Sequence, residues 1–399
     1  MKSRLLLACL TASIYSSTLL ANTCLDHLND HLYKSVLDLS GCSIEDADIP
    51  VVNAVLSQYP SVYEVWLDDN NLGPDGAAYL AANKTISYLD VSSNHVGPKG
   101  AAFIAEMPNL ISLKINHNQI GDEGALALAK NNNLEQLLVR DNQITNVGLT
   151  KIAQNNSIWV LDVGKNTFGK EALSALSNMD QLRFLSIKES NLDSYSVSIL
   201  MKNMSQLEYL GINFNPIGND GIKIISKNDH IKYVDAMNCS IGPEGAIALA
   251  KMPMLKDLYL SNNYVGNEGA DALAKAPMLE ALFLTDNHID DNGLKGFADN
   301  TVMSDLILDK NEIHDPGAVT LAKNTHLEFL NVVFNYIGKE GLEALKNSHI
   351  RYVEDHAQDN GTEAAPQSVQ TSQEKTSRFC DVKNDQSCIK LMRRYPLEN

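Results

Sequence analysis

The sequence predicts an elongated α/β solenoid, a horseshoe in which a parallel concave sheet lies against short convex helices. One pattern, L-x-x-L-x-L-x-x-N-x-I, recurs in thirteen copies, most of them 24 residues apart. Its ninth position, which we call the ladder position, is Asn in ten of those copies. Self-similarity at such a period is the signature of repeat architectures. The ladder positions of copies 1 to 13 are Cys42, Asn70, Asn94, Asn118, Asn142, Asn166, Ser190, Asn215, Cys239, Asn263, Asn287, Asn311 and Asn335.

Each copy opens with a predicted strand. In the copy at residues 134–157, Leu137 and Val139 at the fourth and sixth positions are two residues apart, with polar Gln136 before them and polar Arg140 after them. This period of two gives a strand one buried face. The chain must then turn sharply. Asn at the ladder position suits that turn because its side-chain amide can pair with open backbone groups and can reach the neighbouring copy in a stack. We expect its role to be structural.

The second half of each copy predicts a short helix. The stretch 121–133, GDEGALALAKNNN, has a turn glycine, acidic residues for a helix N-terminus and apolar residues at helical spacing. Interleaved alanines such as Ala125, Ala127 and Ala129 are expected to let adjacent helices pack closely. One core then runs the whole length. The tenth residue after each ladder position from Asn70 onward is apolar, namely Leu80, Ile104, Leu128, Ile152, Leu176, Leu200, Ile225, Leu249, Leu273, Phe297, Leu321 and Leu345.

Three of these helical strings, GALALA at 124–129, GAIALA at 245–250 and GADALA at 269–274, resemble the GALA-type repeats of secreted bacterial effectors. Those repeats are similar to the ribonuclease-inhibitor class of leucine-rich repeats. The resemblance covers residues 34–355 and implies a leucine-rich repeat solenoid with a protein partner, although such folds serve unrelated partners. GALA effectors also carry an F-box, and no convincing F-box pattern precedes these repeats.

Composition changes divide the chain into four parts. Residues 1–21 read as a secretory signal, with Lys2 and Arg4 before the apolar stretch Leu5–Leu20, and a lipoprotein signal is the alternative. The solenoid with its N-terminal cap follows at 22–357. A linker composition rich in Gln, Ser and Thr fills 358–378, and a basic tail with two cysteines fills 379–399. We predict a secreted or periplasmic protein, with delivery to host cells as a further destination.

The charge balance restricts the class of partner. The formal net charge is −17, and it becomes more negative when Lys2 and Arg4 leave with the signal. Such a charge opposes binding to nucleic acid or anionic lipid and favours a protein with a basic or neutral surface. Beyond the signal no stretch is apolar enough to insert in a membrane. We expect a monomer.

The cysteines leave one pairing open. Export permits disulfides, and Cys380 and Cys388 enclose a short loop for which we predict a local disulfide. Cys239 stands at a ladder position, where we expect a buried thiol. Cys42 has the same position, so it is either a second buried thiol or the partner of Cys24 in the cap.

No motif in the sequence predicts catalysis, a cofactor or a metal. The glycines recur at the repeat turn and form neither a nucleotide-binding loop nor a G-x-S-x-G elbow. The stretch 68–76 faintly resembles a calcium loop, but Leu72 and Tyr79 stand where ligands are required. The four histidines beside ladder positions are predicted to be exposed turn residues, and these are His95, His117, His288 and His314. We therefore predict no enzyme and no cofactor.

Aromatic residues are concentrated at the third, fifth and eighth positions, which should point out of the concave sheet. Because the fourth and sixth positions fill the interior, we expect these rings to be exposed and to form a binding surface. The alternative is that they stack on one another across adjacent strands. They are Tyr88, Phe184, Tyr209, Tyr233, Phe329 and Tyr352 at third positions, Trp66, Tyr259 and Phe283 at fifth positions, and Phe214 and Phe334 at eighth positions.

Carboxylates stand between the rings and complete the predicted site. Aromatic anchors would supply affinity, and acids would steer a basic partner. The predicted site residues are Trp66, Tyr88, Asp90, Phe184, Tyr209, Phe214, Tyr233, Asp235, Asp257, Tyr259 and Phe283. Its strongest part begins beside the irregular 25-residue copy between Ser190 and Asn215, where we expect a local change of curvature.

The predicted function is partner capture by an exported repeat protein, as in effectors that engage host proteins. Two alternatives stay open. One is a GTPase-activating protein or an adaptor that recruits a ubiquitin ligase, since ribonuclease-inhibitor-like repeats are also similar to Ran GTPase activators. The other is a cell-envelope or adhesion protein.

Overall fold

Short strands lie side by side in chain order and form one sheet. The structure is a computed structural model, and it describes residues 23–358. In that range the sheet has 15 strands, β1 to β15, in which β1 and β2 pair antiparallel and β2 to β15 pair parallel. The strands are β1 Leu32–Tyr33, β2 Val36–Asp38, β3 Glu64–Trp66, β4 Tyr88–Asp90, β5 Ser112–Lys114, β6 Gln136–Leu138, β7 Val160–Asp162, β8 Phe184–Ser186, β9 Tyr209–Gly211, β10 Tyr233–Asp235, β11 Asp257–Tyr259, β12 Ala281–Phe283, β13 Asp305–Ile307, β14 Phe329–Asn331 and β15 Tyr352–Glu354.

A helix follows each strand from β2 to β14 and returns the chain to the next strand. The α-helices are Thr23–Asp26, Ile49–Gln58, Pro74–Ala81, Gly97–Ala105, Gly121–Leu128, Asn146–Ile152, Lys170–Leu176, Ser194–Leu200, Gly218–Ile225, Pro243–Leu249, Gly266–Leu273, Asp315–Leu321 and Lys339–Lys346, and the 3₁₀ helices are Leu28–His31, Asp46–Asp48 and Asp291–Phe297. Adjacent helices contact one another along the convex side. The predicted solenoid is confirmed. None of the helices between residues 23 and 358 is long and apolar enough to cross a bilayer.

The core is continuous from the first copy to the last, as predicted. Leu137 and Val139 at the fourth and sixth positions are fully buried, and so is Leu128 on the facing helix. The other helical positions expected to point inward are buried as well, including Phe297, the largest fully buried side chain. In every copy the apolar face of the strand thus packs against the apolar face of the helix.

Helix spacing depends on a glycine as much as on alanine. Ala125 is fully buried, whereas Ala127 and Ala129 are only half-buried, so the first alanine of this string is the one enclosed between helices. The residue before that alanine is usually Gly. At Gly269 an added Cβ would lie 2.7 Å from Val265 and 2.9 Å from the Cβ of Ala246 in the previous helix. The Gly-Ala pair therefore sets how closely the helices approach.

The ladder asparagines bridge consecutive copies as expected. The Nδ2 group of Asn94 donates to the carbonyl of Leu67 in the previous copy and to that of Val91 in its own, at 2.9 and 3.0 Å. Its Oδ1 accepts the backbone N–H of Leu72 at 2.8 Å. Asn94 is 2% exposed, so its amide satisfies backbone groups that water does not reach.

The ladder runs one position beyond the predicted solenoid. Gln358, at the boundary where the linker was expected to begin, stands six residues after Tyr352, as a ladder residue would. Its Nε2 donates to the carbonyl of Val332 at 2.9 Å, and its Oε1 accepts the N–H of Ile337 at 3.2 Å. Ala357 before it has a φ of 55°, like residues at other eighth positions. Gln358 therefore fills the ladder position that follows Asn335. The predicted linker beyond it, the tail with Cys380 and Cys388, and the signal lie outside the described residues.

The irregular copy keeps its strand pairing. Phe184 pairs with Tyr209 and Ser186 with Gly211, in the register used elsewhere. The extra residue therefore falls in the return from the helix Ser194–Leu200 to β9. At the ladder position, Ser190 donates one hydrogen bond through Oγ, to the carbonyl of Lys188 at 3.1 Å. A serine is too short to bridge the two copies as Asn does.

Replacing Ser190 with Asn is expected to stabilise the solenoid by about 1 kcal/mol, because the longer amide reaches backbone groups of the previous copy. Urea unfolding of the Ser190→Asn variant measures this. Ser205→Asn makes the same change at an exposed loop position and should alter stability by less than about 0.5 kcal/mol. If the Ser190→Asn variant were less stable, this copy would have no room for an asparagine side chain at its ladder position.

The N-terminal cap is closed by a disulfide. Cys24, on the first helix, is bonded to Cys42 at the first ladder position, with 5.9 Å between the Cα atoms. The pairing that the sequence left open is thereby settled, and Cys42 is not a free thiol. Cys239 is a buried free thiol, as expected, and burial raises its pKa to about 12.

Candidate functional site

The concave face carries a small apolar cluster that is separate from the main core. Val160, Phe184 and Tyr209 form its buried centre, and Trp159 and Tyr233 pack against it. These residues come from strands β7 to β10 and their immediate neighbours. They occupy one column because parallel strands with a regular repeat place equivalent residues side by side.

The predicted exposure is wrong for Phe184 and Tyr209, which are 6% and 4% exposed. Their rings stack with centroids 4.0 Å apart and 2° between the planes. The physical reason is that a column of rings about 4.8 Å apart can cover itself, so pointing away from the core does not guarantee contact with water. For these two residues the alternative of cross-strand stacking holds.

Two of the predicted acids are also buried. Asp90 lies 3.4 Å from Nζ of Lys114, and Asp235 lies 3.1 Å from Nζ of Lys188. Asp235 additionally accepts from Nδ2 of Asn213 at 2.7 Å. With this burial and these partners, Asp90 and Asp235 organise the sheet surface and offer little charge to a partner.

Around Asp235 the concave face is polar and enclosed. Within residues 23–358, the hydroxyl of Tyr209 and Oδ1 of Asp235 have no well-formed hydrogen bond. Burial, followed by the charge of Asp235, raises the pKa of Tyr209 well above its ordinary value, so the phenol stays neutral. Gly211 makes this arrangement possible, since an added Cβ would lie 3.1 Å from the ring and the hydroxyl of Tyr209.

The other predicted site residues remain accessible to different degrees. Trp66 is 39% exposed and Phe214 is 51% exposed. The remaining five are half-buried, and these are Tyr88, Tyr233, Asp257, Tyr259 and Phe283. The predicted site is thus divided into a buried centre and accessible flanks.

The accessible rings in β11 and β12 form an aromatic stripe. Tyr259 and Phe283 stack with centroids 4.2 Å apart, and Ile307, only 7% exposed, follows at the same strand position in β13. We call Tyr259 and Phe283 the aromatic stripe. Asp305 and Asp309 flank its end, and burial raises the pKa of each carboxyl. Apolar surface next to carboxylates is a suitable surface for a partner that is both apolar and basic.

A second group of rings lies at the turn after the strands, where we had predicted only the two phenylalanines at eighth positions and two exposed histidines. Tyr264 stacks near His288 with ring centroids 5.9 Å apart, and His314 stacks near Tyr336 at 5.4 Å. Tyr264 and Tyr336 were not predicted because they stand at the tenth position, beyond the third to eighth positions that were expected to point out of the sheet. Aligning the position after each ladder residue would have found them.

Within residues 23–358, three or more metal-ligating side chains come close together only in the N-terminal cap. His95, His117, His288 and His314 are exposed at turns, as predicted. Ligand atoms of Cys24, His31 and Cys42 lie within 4.8 Å of one another. The disulfide occupies both sulfur atoms, however, and a metal would require free thiolates there.

Comparison with known proteins supports the repeat assignment. A family model described as Leucine Rich repeat matches eight stretches of 24 residues each, in two groups separated by residues 154–226. The stretches are 82–105, 106–129 and 130–153, then 227–250, 251–274, 275–298, 299–322 and 323–346. A search of curated proteins finds no match.

Solved structures of similar shape share little sequence with the chain. A crystal structure of an internalin from Listeria monocytogenes has a TM-score of 0.50 at 15% identity, covering 86% of this chain and 92% of the internalin. A structure of the yeast Rad7 and Elc1 complex contains a chain with a TM-score of 0.54 at 14% identity, covering 85% of this chain and 88% of that one. Such identities show the fold alone. The sheet, the asparagine ladder and these matches together show that the chain is built of leucine-rich repeats.

Proposed function

We propose that this chain is an exported, non-enzymatic binding protein that captures a partner protein with a basic or neutral surface on its concave face. The predicted site narrows to its accessible part, with the aromatic stripe in copies 10 and 11 as the anchor. The resemblance to GALA-type effectors favours a bacterial effector that engages host proteins by occupying them.

The aromatic stripe carries the proposal. Tyr259 and Phe283 keep accessible ring surface although they stack on each other, whereas Phe184 and Tyr209 use the same stacking to become buried. Rigid aromatic surface of this kind gives contact area at a small loss of side-chain entropy, and such residues dominate binding energies. A stripe needed only for sheet stability would gain by being covered as Phe184 and Tyr209 are.

Charge around the stripe supports a basic or neutral partner. Asp257 and Asp305 occupy third positions on either side of Ala281, and Asp309 lies at the end of the stripe. Burial raises the pKa of Asp305 and Asp309, which means that their charged forms lack full solvation. A cationic group from a partner would supply that missing stabilisation, so its binding would favour the ionised acids.

Export is supported by the disulfide between Cys24 and Cys42, because such bonds persist in non-reducing compartments. The signal predicted at residues 1–21 accords with it. A chain of similar fold occurs in the complex of Rad7 and Elc1, which shows this fold in an assembly of two proteins.

The experiment is affinity capture from a host or environmental extract, followed by binding measurements on the captured protein. The test variant is Tyr259→Ala with Phe283→Ala. The matched control is Tyr195→Ala with Phe103→Ala, which removes one exposed tyrosine and one exposed phenylalanine from convex helices. We expect the test variant to bind about 100-fold more weakly, while the control binds as the unmutated chain does.

Two outcomes would contradict the proposal. Equal binding by the test variant and the unmutated chain would assign the stripe to sheet stability. Loss of binding in both variants would place the contact on the convex side. Circular dichroism and thermal unfolding of all three proteins establish that the comparison is between folded chains.

A further inference from the structure

The turn edge of copies 10 to 13 differs in composition from the turn edge of all earlier copies. At the tenth position, directly after the ladder residue, these four copies have Tyr264, His288, Glu312 and Tyr336. Tyr264 is 61% exposed and Tyr336 is 43% exposed. Earlier tenth positions carry no aromatic ring except the imidazole of His95, and they are Ser43, Asn71, His95, Gln119, Gln143, Thr167, Asn191, Pro216 and Ser240. The rings are therefore not a requirement of the repeat.

Phe334 adds a second departure from the repeat. It occupies the eighth position of copy 13 with a φ of 53°, in the left-handed region, and it is 42% exposed. Left-handed backbone is unfavourable for a bulky side chain and is tolerated by Asn and Asp. Most other copies place a polar residue there, such as Asp286 in copy 11 or Lys310 in copy 12. The repeat does not require a half-exposed phenylalanine in that conformation, and an interaction with a partner would explain it.

A hollow of about 270 Å³ lies between these residues. Phe334 and Tyr336 form its aromatic side, Asp286, Lys310 and Glu312 line it with charge, and His288 and Asn311 complete the lining. Sites for whole small molecules are usually larger, from about 300 to 1,000 Å³. The hollow therefore has the size for one side chain of a partner.

The charges that line the hollow indicate which kind of partner side chain would bind in it. Its two carboxylates, Asp286 and Glu312, lie with Lys310 and with His288, whose Nδ1 is 3.7 Å from Oε1 of Glu312. Lys310 also lies beside Asp309, whose pKa its charge lowers against the effect of burial. The balance around the hollow is accordingly negative. A planar cation can lie against the rings of Phe334 and Tyr336 while it donates to Asp286 or Glu312, and a guanidinium group does both better than an ammonium group.

We infer that this turn edge is a second contact site, in which Phe334, Tyr336, Asp286 and Glu312 receive an arginine side chain from a basic segment of the protein partner. The inference rests on the proposed protein-binding function but needs neither the aromatic stripe nor the rest of the concave face. It places a specificity contact at the rim of the solenoid, where the chain turns from strand to helix.

The test uses N-acetyl-arginine amide as the probe and amide NMR shifts of the full chain as the readout. N-acetyl-citrulline amide is the control ligand, because it has nearly the same shape without the charge. We expect saturable binding of arginine amide at about 1 mM, with shifts at 286–288, 310–312 and 334–336, and no such shifts with citrulline amide.

Three variants make the test specific. Phe334→Asn removes the ring and places a residue that tolerates the left-handed backbone, and Glu312→Gln removes one charge at constant shape. Each should weaken the binding of arginine amide about fivefold. Phe103→Asn is the control, since Phe103 is a phenylalanine of similar exposure, 44%, on the convex helix Gly97–Ala105 and outside the proposed binding surface. It should leave binding unchanged.

Several results would overturn the inference. Equal shifts with citrulline amide would show that charge is not recognised. Arginine shifts confined to Asp257 and Asp305, or unchanged binding by Phe334→Asn, would remove the turn edge from the site. If arginine amide does not bind at the turn edge, the proposed capture of a partner through Tyr259 and Phe283 still stands. If that capture fails, the arginine titration can still be interpreted. The two proposals are therefore tested separately.

Discussion

Replacing Asn142 with alanine is expected to lower the free energy of unfolding by about 3 kcal/mol. The side chain is fully buried, and its Nδ2 donates to the carbonyls of Ile115 and Arg140 at 2.8 and 3.1 Å. Its Oδ1 accepts the N–H groups of Asn118 and Ile120 at 3.0 and 3.3 Å. In the Asn142→Ala variant these four backbone groups lose the amide as their hydrogen-bond partner, at a site that water reaches poorly. The large loss of stability follows from these unsatisfied groups.

Urea unfolding followed by circular dichroism measures this loss. The control is Asn156→Ala, which makes the same chemical change at an exposed residue of the same copy and should cost less than about 0.5 kcal/mol. Asn142→Asp should be nearly as harmful as Asn142→Ala, because a carboxylate accepts from N–H groups but cannot donate to the two carbonyls. A loss from Asn142→Ala no larger than that from Asn156→Ala would show that water replaces the ladder amide without penalty.

Removing the disulfide by Cys24→Ser with Cys42→Ser is expected to destabilise the N-terminal cap by about 3 kcal/mol, since the bond joins residues 18 apart and restricts the unfolded chain. In a solenoid, each copy contacts mainly its neighbours, so the effect should be local. Hydrogen exchange should accelerate in β2 and in the helix Ile49–Gln58, while the helix Lys339–Lys346 at the other end keeps its protection.

A second variant separates the bond from the ladder position. Cys24→Ser with Cys42→Asn also lacks the disulfide but restores the residue that most copies have at this position. We expect a smaller loss than with the double serine variant. A reducing agent should destabilise the unmutated chain and leave both variants unchanged. Acceleration of exchange along the whole chain would instead show that the cap controls the stability of every copy.

Much of the fold could be predicted because each copy repeats the same local information. The fourth and sixth positions of Leu137 and Val139 define a strand, and the Asn that follows defines the turn. The end of the ladder could not be predicted in this way, because Gln358 replaces Asn at the last position. Its longer amide reaches the same backbone groups only in the folded stack, and composition alone grouped it with the linker.

The candidate site was predicted less completely, and the reason lies in contacts between copies. Position within a strand indicates which face a side chain points to, and this placed Tyr209 and Tyr259 together on the concave face. It does not indicate whether neighbours cover that side chain. Phe184 lies against Tyr209 and buries it, whereas Tyr259 keeps accessible surface beside Phe283.

The sequence by itself determined the repeat, its register, the two faces of the sheet and the structural role of the ladder asparagines, because these follow from periodicity within one copy. Only the tertiary structure decided which rings of the concave face are buried, which cysteine Cys24 joins, and that Phe334 and Tyr336 meet Glu312 at one hollow. Those features depend on distances between copies, and a distance of a few ångströms between side chains is set by packing and not by spacing along the chain.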